Sequence, residues 1–186
     1  MKNKFVISIL IIISILLIFT LFQKLYFSKI KKNQKTRVVE KINSGQIDFN
    51  TKIKLFWSIK DFNKEFHKIE FCESIDANYI CKIDNKDWFG SDFKMDYPKY
   101  MLENLTIKLN ECQIKLDVSK MFNPNYSGEL NKNQFKLEKQ NDYYILYGFF
   151  SDGAGTYTTN WKIKSCKSER SEISQDEDAF EWQNNN

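Results

Sequence analysis

His67 is the only histidine in the chain, and Cys72, Cys81, Cys112 and Cys166 are its only thiols. One imidazole without a C-x-x-C pair does not make a zinc site. The stretch Phe66-His67-Lys68-Ile69-Glu70 offers no nucleophile elbow for a Ser–His–Asp arrangement, so His67 reads as a solvated surface residue. Cys72 and Cys81 enclose Cys-Glu-Ser-Ile-Asp-Ala-Asn-Tyr-Ile-Cys, a segment that a pair of strands can close into a disulfide. The even cysteine count fits either such pairing or four reduced, buried thiols.

The carboxylates are plentiful but scattered. Asp84, Asp87, Asp92 and Asp96 surround Trp88, Phe89 and Gly90. A calcium loop needs a denser Asp/Asn pattern. Aspartates beside aromatics can line a groove for sugar or peptide, or form a solvated loop with Trp88 plugging the core. Ser151-Asp152-Gly153-Ala154-Gly155 could cradle an anion on its glycine amides, but it lacks the Lys-Ser/Thr of a phosphate loop. It reads instead as a hairpin turn whose glycines take positive φ. No catalytic, metal or cofactor residue is nominated. The candidate partner-contact residues are Trp88, Asp92, Tyr97, Tyr100, Tyr126 and Asp152, and the candidate disulfide is Cys72 with Cys81.

The elements that must position these residues begin with an anchor. Phe5–Phe22 carries no charge, proline or glycine. Eighteen helical residues rise about 27 Å, close to the apolar thickness of a bilayer. Lys2 and Lys4 flank one end and Lys24 the other. No small-x-small cleavage site follows, so the run is expected to stay as a signal-anchor. Residues 1–37 hold eight Lys or Arg and no acid, so the remainder of this +4 chain sums to 4 − 8 = −4. The basic cluster Lys24–Arg37 is expected to meet anionic lipid headgroups. A nucleic-acid-seeking domain is therefore not expected despite the basic whole-chain charge. Positive charge on the C-terminal flank favours a cytoplasmic domain. The cysteines favour export across a bacterial plasma membrane, which is the orientation adopted here.

Beyond the anchor (1–22), residues 23–45 read as a basic juxtamembrane helix or stalk, with Asn43-Ser44-Gly45 as a break. Residues 46–166 alternate apolar and polar with period two in Ile53–Ile59, Leu105–Leu109, Ile114–Val118 and Tyr157–Ile163. Tyr143–Phe150 is apolar on both faces and is expected to be a central strand. Ser58 to Asp61 resembles a capping box opening a short helix. Residues 167–186 are acidic and are expected to be disordered, with Phe180 and Trp182 able to dock locally. The fold expected is mainly β (or α+β): a transmembrane helix, then one antiparallel sheet or sandwich of seven or eight strands.

Three stretches together carry a resemblance: the Asp87–Tyr100 loop with its following hairpin, Asp117–Gly128, and Tyr147–Ile163 with its F-S-D-G-A-G-T-Y hairpin motif and the later Asp176–Phe180. The combination resembles an uncharacterised family of small bacterial β-rich domains, some of which occur among toxin-immunity proteins. The resemblance implies no catalytic residue. The expected function is a membrane-anchored, non-catalytic domain that binds a protein partner, such as a toxin to be neutralised, without a cofactor. The alternatives are an envelope hydrolase using Asp84, Asp87, Asp92 or Asp152, and a structural part of a membrane complex.

Overall fold

The computed structural model describes residues 42–75 and 77–184, with Thr20, Phe22 and Gln23 besides. Apart from Thr20 and Phe22, the apolar run and the basic cluster lie outside the described residues. Among those described, no helix is long and apolar enough to cross a membrane. The chain divides into two units, 1–39 and 40–186, and the strands belong to the second.

Among the described residues, eleven strands form three antiparallel sheets. The first sheet orders β1 (Ile42–Asp48), β2 (Ile53–Asp61), β6 (Tyr100–Leu109) and β7 (Cys112–Lys115) as β1-β2-β6-β7. The second is a meander of β8 (Phe135–Lys139), β9 (Tyr144–Phe150), β10 (Tyr157–Lys164) and β11 (Lys167–Arg170). These two four-stranded sheets share one core, as in a sandwich. Between β2 and β6 the chain leaves to build a third sheet from β3 (Ile69–Glu73), β4 (Asn78–Ile83) and β5 (Lys86–Asp87). A smaller core of Ile80, Ile83, Trp88 and Phe122 lies beneath it.

Alternation explains the sandwich. Ile53, Leu55, Trp57 and Ile59 face inward from β2 and Tyr157, Trp161 and Ile163 from β10. In β6 the inward residues Leu102 and Leu105 are three apart. The register shift opposite Ser58 and Ile59 accommodates this, leaving Glu103 as the extra residue, paired with Lys60 at 3.2 Å. Gly148 separates Leu146 and Phe150 on the inner face of β9. A Cβ there would lie 2.6 Å from the Phe150 ring and 3.1 Å from that of Trp161.

Four expectations are corrected. Among the described residues there are eleven strands rather than seven or eight, because β1, the two-residue β5 and β11 carry no apolar alternation to mark them. Asn43-Ser44-Gly45 is no break: it lies inside β1, where Gly45 pairs with Trp57 and makes room for its indole. Ser58 is a strand residue, and the short 3-10 turn Lys64–Phe66 is capped by Asn63 instead. The acidic tail is ordered through residue 184. It begins with β11, bridges Thr158 through Ser174, and ends in a helical turn at Glu181–Asn184. Phe180 and Trp182 there pack on Phe149, and Trp182 also on Tyr147, which covers the outer face of β9. That cover is why Tyr143–Phe150 is apolar on both faces.

Candidate functional site

Asp87–Tyr100, Asp117–Gly128 and Tyr147–Ile163 meet at one junction. Its centre is Asn123, buried, with φ +43°. Asparagine tolerates that left-handed conformation better than most residues. Its side-chain oxygen accepts the backbone N–H groups of Lys99 and Tyr100 at 2.8 and 3.1 Å, and its amide donates to the Gly90 carbonyl at 2.8 Å. The Tyr157 hydroxyl donates to the Phe122 carbonyl at 2.9 Å. The Ser151 N–H donates to the Pro124 carbonyl at 3.1 Å, and Gln134 joins that same carbonyl to Phe149. Gly90, at φ +97°, runs so close to Phe122 that an added Cβ would lie 2.3 Å from its carbonyl oxygen.

The glycine-rich loop Ser151–Gly155 does hold an anion, and that anion is Asp92. The Gly155 N–H donates to Asp92 at 2.6 Å, and Gly153 at φ +56° stands beside the other carboxylate oxygen. Gly155 itself lies against the Ser91 backbone, 2.7 Å from its nitrogen were a Cβ present. The loop spans β9 and β10 as expected, but as a 3-10 turn, Gly153–Gly155, rather than a tight hairpin. Tyr126 and Asp152 are exposed on the surface of this junction. Partial burial and then the charges of Asp152 and Asp92 push the Tyr126 phenol above its ordinary value. Three of the six candidate partner-contact residues therefore form one acidic, tyrosine-bearing knuckle.

The other three lie elsewhere. Trp88 is fully buried, its indole donating to the Ile80 carbonyl at 2.8 Å, so it is a core residue and not a contact for a partner. Tyr100 is half-buried, with Gly128 packed on its ring and Lys99 above it at 4.8 Å. Tyr97 is exposed beside Phe71, ring centroids 6.4 Å apart, with the Lys64 ammonium 5.0 Å from its centroid.

The cysteines form two pairs at disulfide distance, Cys72 with Cys81 and Cys112 with Cys166, each with Cα atoms 5.6 Å apart. The first staples β3 to β4; the second ties β7 to the β10–β11 turn and so joins the two large sheets. His67 is not the solvated residue expected. Its side chain is 15% exposed, stacked on Phe62 at 4.6 Å and bonded through Nδ1 to Asp84 at 2.7 Å. The other Asp84 oxygen accepts the Lys68 N–H at 2.9 Å. Partial burial opposes the ionised form of Asp84, yet the bonds from His67 and Lys68 and the nearby charges hold it below its ordinary value. This arrangement clasps the β4–β5 turn to the start of β3.

Sequence reading missed Arg170. It lies in the polar stretch Lys-Ser-Glu-Arg, where nothing marks it. Its side chain is 11% exposed, and its guanidinium meets Asp117 at 3.2 Å and donates to the Ser119 carbonyl at 2.7 Å. With Asp87, Phe89, Asp117, Lys120 and Glu172 it lines a cleft of about 390 Å³. Burial lowers the Arg170 value, with the Asp117 charge acting in the opposite sense. Its hydrogen bonds are spent on residues 117–119, which makes it a brace. Among the described residues, no three His, Cys, Asp or Glu side chains are grouped to hold a metal ion. No protein-family model, curated protein or solved structure matches the chain.

Proposed function

We propose that this chain is a membrane-tethered, non-catalytic binding domain that presents the Tyr126–Asp152–Asp92 knuckle to a basic protein partner. The supporting observation is the convergence of an exposed tyrosine and two exposed carboxylates on a rigid junction. Tyrosine supplies a large contact with little rotamer entropy, and preorganised loops lose less on binding. The net charge of −4 over residues 38–186 steers a cationic partner toward the domain. A secreted basic toxin fits this description, in keeping with the resemblance to immunity proteins. The membrane placement rests on Phe5–Phe22 and the basic cluster after it, with the domain on the exported side.

The test is association kinetics with the product of any toxin gene adjacent to its own. The association rate falls as salt is added, and Asp152→Asn lowers it about threefold at low ionic strength. Tyr126→Ala speeds dissociation. An association rate indifferent to salt, with unchanged affinity in both variants, removes the knuckle as the contact.

A further inference from the structure

The small sheet carries a feature that the knuckle does not use. Phe66, Phe71, Ile75, Phe93, Met95 and Tyr97 are all exposed, and all belong to the excursion between β2 and β6. Ile75, at the β3–β4 turn, is 103% exposed; Phe93 and Phe66 are 75% and 72% exposed. Beyond these six, the exposed large apolar side chains of residues 42–184 are Ile42 and Tyr126. Isolated exposed apolar residues need no explanation, but a set drawn from one excursion does. The core beneath them is complete, with Ile80 and Trp88 fully buried, so folding does not account for their apolar character.

We infer that this excursion is a second lipid contact, which rests its aromatic, Met and Ile side chains in the headgroup region of the bilayer that anchors the chain. The inference depends on reading Phe5–Phe22 as the anchor. Chain length supports the choice of occupant. Nineteen residues lie between Phe22 and Ile42, and the twenty steps from one to the other span at most about 70 Å even when fully extended. The domain therefore meets the bilayer surface at high effective concentration whatever else is present. The side chains project from the 3-10 turn, from β3, from the β3–β4 turn and from the loop before β6, and a fluid interface accepts so irregular a set. Aromatic residues favour that depth. Lys64, held over the Tyr97 ring, has the reach to place its ammonium among phosphates while its stem stays apolar.

The test uses the full-length protein reconstituted in phosphatidylcholine–phosphatidylglycerol vesicles that contain a diazirine-bearing phospholipid. After irradiation, lipid adducts are mapped by mass spectrometry. Adducts are expected on both 5–22 and 66–97, and the paired change Ile75→Ser with Phe93→Ser lowers those on 66–97 about tenfold while leaving the others. Unchanged near-ultraviolet dichroism confirms that the variant is folded. Adducts confined to residues 1–41 overturn the inference and leave the anchor intact. An absence of adducts on 5–22 instead overturns the anchor and the inference with it. Cross-links from 66–97 to another copy of the chain overturn the lipid assignment in favour of a protein interface.

Discussion

Gly155 and Asp92 are 63 positions apart in the chain, yet a 2.6 Å hydrogen bond joins them. The side chains that matter most here act by being absent or by being charged. Gly155→Ala drives a methyl into the Ser91 backbone, which cannot move aside as a flexible side chain could. The expected loss is about 2–3 kcal/mol of stability, read from urea unfolding. Charge acts at Asp84 and Asp117. Burial opposes ionisation at both. Hydrogen bonds and neighbouring cations win, from His67 and Lys68 at Asp84 and from Ser119 and Arg170 at Asp117. Their folded values lie below their unfolded ones. The stability they confer is therefore complete above about pH 4 and is lost as pH falls through the depressed values. Melting temperature should drop on acidification below that point, and the double change Asp84→Asn with Asp117→Asn should make the acid limb shallower. An unchanged limb would show that other carboxylates govern acid unfolding.

At the scale of elements, the strands with apolar alternation were legible in the sequence and those without it were not. Ile53–Ile59 and Leu105–Leu109 announce themselves because one face is buried. β1 does not, because Asn43-Ser44-Gly45 is written in turn residues; its seven register pairs with β2 and the fit of Trp57 over Gly45 override that composition. A chain trimmed to begin at Gln46 loses four of those seven pairs. It should unfold at lower urea than one beginning at Lys41. β11 is equally silent: Lys-Ser-Glu-Arg is placed by pairing with β10 and by the Arg170 brace. The candidate site was legible only in part. The sequence names Asp92, Tyr126 and Asp152 separately, but nothing local says that Asp92 fills the glycine loop and so brings them together. Trp88 shows the reverse error, since an aromatic ringed by aspartates looks exposed while its indole is committed to Ile80. The C-terminal turn adds a further expectation. Trp182→Ala should cost about 1 kcal/mol and raise the exposure of Tyr147 and Phe149.

For the molecule as a whole, the two cysteine pairs divide the labour. Cys112 and Cys166 are 54 positions apart and hold the large sheets together, whereas Cys72 and Cys81 are 9 apart within one hairpin. Loop-closure entropy makes the first worth about 4 kcal/mol and the second about 2.5 kcal/mol. Unfolding of Cys112→Ser/Cys166→Ser should therefore shift to lower denaturant than that of Cys72→Ser/Cys81→Ser. Without reductant, none of the four thiols should react with iodoacetamide in the protein as isolated. Ready alkylation of all four would place the domain in a reducing compartment and reverse the orientation adopted.

Asp61 and Tyr100, the residues where the chain departs for the small sheet and returns from it, face each other in the ladder of the parent sheet. Residues 62–99 are thus an insertion within a hairpin, and one the sandwich has closed around: Asp92 fills the β9–β10 loop, and Gly90 and Lys99 bond to Asn123. A two- to four-residue turn spliced in their place would join β2 to β6 directly but would leave the buried Asn123 side chain without those partners and strip the cover from Phe122. Selection is free to rewrite the exposed tips of the excursion while its footholds on the body stay fixed.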